Sequence, residues 1–375
     1  MSRLSRVELR ERNRARVLAA AGDEFAERGF RDAKVDGIAE RAGLTRGAVY
    51  SNFPGKRALY FEVLADLAEH APEPPAPDRG AGPPGGTGTA PSAREALGAF
   101  ARAWLARLPL ADTDEKHGAA RLGMDVLPEV LAEEWIRRPF AQLMKLDAIL
   151  LGLALERLGP PGAPPGSRVR VAEAVLTALH GASQLAAAAP GFIEPFNVVS
   201  ACEQLAGLEL DGWWPPSHVL TPALPADQPW APPRTLDAVR REPARLAGDG
   251  VLAILGLHRL EAVEEAVRAA PAGAEVTAVL VTGDPDELAP LARLAVADLC
   301  GPLRHAFPAS AWPRLQVVVD TSGALASAAG ISSVSDATEA AVRVEASRIV
   351  ARAEGRGACH AVASAGVAPM PVEMP

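Results

Sequence analysis

Apolar positions recur at helical spacing through the first 210 residues and then switch to short, continuous apolar runs. Val17, Leu18, Ala21 and Phe25 make the inner stripe of a helix predicted over residues 8–28. Ile38, Ala39 and Ala42 mark a short second helix, and Gly43 stands where it must stop. Thr45 is placed to cap the next helix through its hydroxyl. Stepping 100° per residue from Arg46 puts Val49 and Phe53 on one side and Gly47, Ala48 and Ser51 on the other. Arg46 and Tyr50 fall on one flank and Asn52 on the opposite one. Pro54 and Gly55 then break the chain before a helix over residues 56–70 carrying Leu59, Tyr60, Val63, Leu64 and Leu67. Two short helices with an apolar inner side and a small, polar outer side read as a helix-turn-helix able to lie in a DNA major groove, the blander alternative being a helical hairpin with a solvated outer face.

Residues 72–91 hold seven Pro and five Gly, a composition that cannot bury a core and predicts a disordered loop. From residue 93 to about 210 the helical pattern returns. Helices are expected from residue 93, near Asp114, after Pro128, over 139–158, over 168–188 and over 196–208. This is an all-α body. Residues 211–233, rich in Pro and Trp, read as a linker. Beyond it the runs 251–257, 276–281 and 315–320 predict buried strands, 340–345 with 348–355 a hairpin, and 258–270 and 287–300 intervening helices. That order is an α/β domain over 234–375. The fold class is therefore mainly α, closed by an α/β domain.

Charge sharpens this division. Residues 1–60 carry 13 Lys/Arg against 8 Asp/Glu, whereas the whole chain has a net charge of −8. A basic module at one end of an acidic chain suits DNA. Arg3 and Arg6 sit in what reads as a loose N-terminal arm able to reach phosphates or the minor groove. No apolar run is long enough for a membrane span, and no signal segment opens the chain, so a cytoplasmic protein is expected. Cys202, Cys300 and Cys359 are far apart and form no CxxC pair, which argues against a disulfide scaffold or a zinc site. No metal or other cofactor is expected, and Cys359 beside His360 does not change that, because adjacent residues seldom share one metal.

The run A-x-x-x-F-A-E-R-G-F at 21–30, then V-D-G-I-A-E-R-A-G-L at 35–44 and T-R-G-A-V-Y-S-N-F-P-G-K-R-A-L at 45–59, closely resembles the DNA-binding domain of tetracycline-repressor-type (TetR/AcrR) regulators. The resemblance covers roughly residues 10–65. It implies that Thr45, Tyr50 and Lys56 bind phosphate oxygens and that Arg46, Gly47, Ser51 and Asn52 face base edges. Arginine pairs bidentately with guanine and asparagine with adenine, so the chemistry agrees. Lys34 stands where the family usually has Thr; it cannot cap through an oxygen but can reach a phosphate, and Asp32 is placed to cap instead. Gly37 inside the second helix costs about 1 kcal/mol against Ala.

The same resemblance makes residues 93–210 a ligand-binding and dimerising domain. Trp104, Met124, Leu127, Trp135, Phe140, Met144 and His180 are candidates to line an effector pocket, with His180 and Gln184 able to orient a ligand; for each alone, plain core is the blander alternative. Ala174, Leu176, Ala178, Gly181, Ala182, Leu185, Ala186, Ala188 and Ala189 offer a small-residue surface for a homodimer interface. The expectation is a ligand-responsive repressor, a homodimer on a palindromic double-stranded operator, with residues 1–210 already complete.

The C-terminal runs D-T-S-G-A-L-A-S-A-A-G-I and R-V-E-A-S-R-I-V-A-R-A-E-G resemble thioredoxin- and peroxiredoxin-like proteins. Where those proteins place the reactive cysteine after the first strand, this chain has Leu257, His258 and Arg259. Without a thiolate there is no disulfide exchange. The α/β domain is expected to be a degenerate, non-catalytic thioredoxin-like unit that folds alone, with no catalytic residue. The rivals are a thiol oxidoreductase using Cys300 or Cys359, and a protein-interaction module.

Overall fold

The computed structural model describes residues 5–71, 91–108, 122–159, 168–210, 221–271 and 273–365. The Pro/Gly-rich loop, the helix expected near Asp114 and most of the expected linker lie outside the described residues.

Helix α1 (Arg6–Asp32) begins at a capping box in which Ser5 and Glu8 satisfy each other's backbone N–H, and it is broken at Gly29, where φ is 72°. It is longer at both ends than the apolar stripe predicts, and Arg6 belongs to it. Helix α2 (Val35–Ala42) ends on Gly43 at φ 59°, with Leu44 N–H donating to Ala39 O at 2.9 Å. Thr45 accepts from Ala48 N–H at 3.2 Å and opens α3 (Arg46–Tyr50), as its hydroxyl predicts. Helix α4 (Lys56–His70) follows the Pro54 break. Val17, Phe25, Ile38, Val49, Phe53, Leu59 and Tyr60 are all buried where these helices meet.

The body contains α5 (Ala93–Leu105), α6 (Val126–Ala132), α7 (Glu134–Leu158), α8 (Arg168–Ala188) and α9 (Pro195–Leu205). Asp125, just before α6, accepts from Phe30 N–H at 2.9 Å, and the Tyr60 hydroxyl donates to Leu122 O. Both bonds tie the end of α1 and the middle of α4 to the body.

The C-terminal domain is built on strands β1 (Leu224–Pro229), β4 (Gly250–Gly256), β5 (Glu275–Val281), β6 (Leu315–Val319), β7 (Glu339–Glu345) and β8 (Arg348–Glu354), in the order β1-β8-β7-β4-β5-β6. A two-residue ladder joins β2 (Leu236–Asp237) to β3 (Glu242–Pro243). The trio β4, β5 and β6 is parallel, while β7 and β8 return as the expected antiparallel hairpin. Val251, Ala253 and Leu255 point to one face and join the core containing α10 (Ala262–Ala269), α11 (Leu288–Ala306) and α13 (Ala358–Ser364). Leu252 and Ile254 point to the other, where Trp230, Leu246 and α12 (Ala324–Ala328) cover them. Burial on both faces explains why these strands read as unbroken apolar runs.

Two expectations are corrected here. The segment taken as linker contributes edge strand β1 and buried Trp230, whose Nε1 donates to Leu246 O at 2.6 Å. The α/β domain is also not packed as a separate unit. One hydrophobic core runs from Val17 through Leu59, Phe100 and Leu150 to Leu291, Leu299 and Leu315, so head, body and α/β domain share it. Helix α11 makes the join, lying against α4, α5 and α7. Ion pairs frame the contact: Arg293 with Glu62 at 3.0 Å, Arg57 with Glu287 at 3.0 Å, Arg268 with Glu156 at 2.7 Å, and Arg107 with Asp298 at 3.0 Å.

Candidate nucleic-acid interface

Glu24 of α1 is buried, and it organises the start of the helix-turn-helix. Its carboxylate accepts from Arg41 Nε at 2.9 Å, Arg28 Nε at 3.1 Å and the backbone N–H of Lys34 at 3.4 Å. Asp32 is the last residue of α1, and among the described residues neither it nor any other side chain caps α2 at Lys34. Gly37 is explained by the same carboxylate. A Cβ there would sit 2.9 Å from Glu24 Oε1, closer than packed atoms allow. The propensity lost at Gly37 is what lets α2 lie against α1.

On the outer side, Lys34, Thr45, Arg46, Gly47, Tyr50 and Ser51 are all exposed, and Asn52 and Lys56 are half-buried. Val49 and Phe53 point inward. Arg46 rests 3.4 Å from Asp36 and lies 5.5 Å from the centre of the Tyr50 ring. Both partners of that ion pair are well exposed, so exchanging Asp36 for a base edge or a phosphate costs little.

Three side chains are turned differently from the sequence expectation. Ser51 Oγ and Asn52 Nδ2 both donate to Ala48 O, at 2.9 and 2.8 Å, closing the end of α3. To read a base edge, Asn52 must first leave that carbonyl. Lys56 Nζ donates to Arg31 O at 3.1 Å and Ala33 O at 2.9 Å and lies 4.6 Å from the centre of the Phe30 ring. It seals the frayed end of α1, leaving one of its three donors for a phosphate.

Residues 17–63 match the family model described as bacterial regulatory proteins, tetR family. They are a TetR-type helix-turn-helix domain. Over 55 residues the chain is 47% identical to the HTH-type transcriptional regulator SrpR of Pseudomonas putida, covering 15% of this chain and 26% of that protein. It is 40% identical over 55 residues to the HTH-type transcriptional activator FasR of Mycolicibacterium smegmatis, covering 15% and 25%. The chain thus spans about a quarter of the length of these relatives. A TetR transcriptional regulator from Rhodococcus sp. RHA1 aligns with 53% of this chain and 95% of its own, at 18% identity and TM-score 0.33. The transcriptional regulator FadR from Bacillus subtilis, solved in complex with stearoyl-CoA, aligns with 51% and 96%, at 14% identity and TM-score 0.27.

The TetR-type head also carries a basic stripe along α1. Arg6, Arg10 and Arg14 recur every four residues along the first turns of α1, and Arg6, Arg10 and Arg12 are exposed. The stripe ends at the recognition helix: Arg14 Nη1 donates to Asn52 O at 3.4 Å, and its guanidinium lies 4.4 Å from the centre of the Phe53 ring. Arg16 likewise reaches Gly43 O at 3.4 Å. The spacing R-x-x-x-R-x-x-x-R was the available signal.

The expected effector residues divide. Trp104 and His180 meet edge to face at 5.0 Å, and Trp104 Nε1 donates to Ser183 at 3.1 Å. His180 Nδ1 lies 2.9 Å from Leu176 O, and burial pushes its pKa below the ordinary value. Phe140 and Met144 are half-buried on α7, and Gln184 and Leu127 are half-buried too. Trp135 stands apart: it is 42% exposed, with Arg57 5.6 Å from the centre of its ring. Met124 belongs to the turn Gly123–Asp125, and its side chain lies outside the described residues. The dimer surface also needs correction. Leu176, Ala182 and Ala186 are buried within the chain, while Gly181 and Leu185 of the expected surface are exposed and are joined by Thr177 in a stripe along α8. Phe192 and Phe196 beside it are 70% and 73% exposed.

Proposed function

We propose that this protein is a cytoplasmic transcriptional regulator that binds a palindromic DNA duplex as a homodimer and releases it when a small effector enters the body. The observation that carries the reading is the α3 surface, with Thr45, Arg46, Gly47 and Tyr50 exposed over an inward-facing Val49 and Phe53. Arg46 reads a base, while Lys34, Thr45, Tyr50, the free donor of Lys56 and the stripe of Arg6 and Arg10 contact phosphates. Thr177, Gly181, Leu185, Phe192 and Phe196 are the surface for a second copy, whose twofold axis sets the two recognition helices about one DNA turn apart. Trp104 and His180 are the part of the body best suited to hold an effector, and a population shift between body conformations is the mode of release. Among the described residues no helix is long and apolar enough to cross a membrane.

The α/β domain in this reading is a non-catalytic, degenerate thioredoxin-like unit. Its thiols support that: Cys300 and Cys359 are buried, burial pushes Cys300 up to about 12, and Cys359 is raised well above its ordinary value. A thiol held protonated and out of water is a poor nucleophile. Arg259, at the position where a reactive sulfur would be sought, is bound instead to buried Glu339 at 2.6 Å. Selection of bound duplexes from a random pool tests the function. Enrichment of a palindrome supports it; retention of all sequences alike, or of none, overturns it.

A further inference from the structure

Helix α4 follows the recognition helix in the chain, and α11, from the far end of the chain, lies along α4. Between them stands Glu62, a carboxylate with little solvent exposure. Its Oε1 accepts from two guanidiniums at once: Arg14 Nη2 of α1 at 2.7 Å and Arg293 Nη1 of α11 at 3.0 Å. Arg293 spends the rest of its fork on Glu69, at 2.9 and 2.5 Å, so it grips α4 at two carboxylates two turns apart. Arg14 spends the rest of its own on the recognition helix, holding Asn52 O and covering Phe53. Two side chains, Glu62 and Arg14, therefore separate the α/β domain from the residue that closes α3.

We propose that Arg293 is a positioning residue for DNA recognition: acting through Glu62 and Arg14, it makes the α/β domain a brace that sets where the end of the recognition helix lies. A carboxylate shared by two guanidiniums moves when one is withdrawn, and Arg14 moves with it. The pairs are only partly exposed, with side-chain exposures of 41% for Arg14, 11% for Glu62 and 23% for Arg293, so solvent screens them less than a surface pair. A second contact runs in parallel, because Arg57 at the start of α4 is held between Glu133 of the body and Glu287 of the loop preceding α11. The far end of α4 is held as well, by Arg241, which donates to Ala68 O at 2.9 Å. The head is thus fastened to the α/β domain at both ends of α4 and in the middle, and the middle fastening leads on through Arg14 to the DNA-facing side.

The inference rests on the DNA-binding reading above. Its test uses the full-length chain, the duplex selected by the wild type, and a random duplex of equal length. Arg293→Met is expected to lower affinity for the selected duplex about fivefold to tenfold. Binding to the random duplex and the salt dependence stay unchanged, since no phosphate contact is removed. Arg14→Met is expected to lower affinity for the selected duplex at least as much, and the double variant to lose no more than Arg14→Met alone. Glu62→Gln, which keeps the side chain's volume, serves if Arg293→Met does not fold, with the same loss expected. Arg293→Lys, which keeps the charge but not the fork, recovers part of the affinity. A change in thermal stability without a change in the ratio of selected to random affinity overturns the proposal, as do losses that multiply in the double variant. A wild type that selects no duplex overturns the DNA-binding reading instead.

Discussion

The TetR-type head and the α/β domain are both built from well-formed elements, yet they are held in place differently. The head's elements are defined by neighbours in sequence: Ser5 with Glu8, Gly43 after Ala39, Thr45 with Ala48. The α/β domain's elements are equally regular, but α11 has apolar residues on every side, from Leu288 and Leu291 to Leu299, Cys300 and Leu303. A helix that is apolar all round must be covered all round. The sheet covers one side of α11, and α4, α5 and α7 cover the rest. An appended domain with this helix is part of the chain's common core, whereas a tethered one would present α11 with a polar outer face.

Removing residues 211–375 is the strongest test of that difference. It bares the faces of α4, α5 and α7 that α11 covers, and the remaining chain is expected to aggregate or remain unfolded; a soluble fragment with wild-type DNA affinity would separate the two regions again. Leu299→Ala is milder, costing about 2–5 kcal/mol. Calorimetry should then show head and α/β domain melting in one shifted transition; two transitions, of which only one moves, would contradict the shared core.

Within the head, Arg46→Ala is expected to cost about 1–3 kcal/mol at the selected duplex and to relax its sequence preference, measured by competition binding. Asp147 tests the junction from the other side. It is buried on α7, its Oδ1 has no hydrogen-bond partner among the described residues, and burial, with Asp298 nearby, raises its pKa well above the ordinary 3.8. A raised carboxyl favours the fold at pH values below its unfolded pKa, and that contribution is lost as pH rises through the folded one. Asp147→Asn should therefore stabilise the protein at pH 7 by roughly 1–3 kcal/mol, with the gain vanishing towards pH 3.8; a gain independent of pH would show that ionisation is not its source. The smallest effect is expected at Gly37. Helix propensity alone predicts that Gly37→Ala stabilises by about 1 kcal/mol, but the contact with Glu24 predicts a loss of similar size in denaturant unfolding.

Much of this protein is legible along the chain because the responsible forces act over a few residues. Apolar spacing, capping hydroxyls and turn glycines specify α2, the Gly43 turn, α3 and α4 almost to the residue, and the unbroken apolar runs specify β4, β5 and β6. The outward side of α3 at Arg46, Gly47, Tyr50 and Ser51 follows from helical periodicity, whereas Lys34 and Thr45 join it only through the resemblance to tetracycline-repressor-type regulators. What escaped depends on partners far away in sequence. Glu24 explains Gly37 only once α1 lies against α2. Lys56 turns to the end of α1, Ala182 faces inward, and Trp230 caps a sheet built mostly downstream of it. The largest surprise, α11 in the chain's common core, was hinted at by apolar residues on every side of it, but periodicity says only that a face is buried. Which surface buries it is settled by shape and by paired charges such as Arg293 with Glu62, and these come together only when distant segments pack.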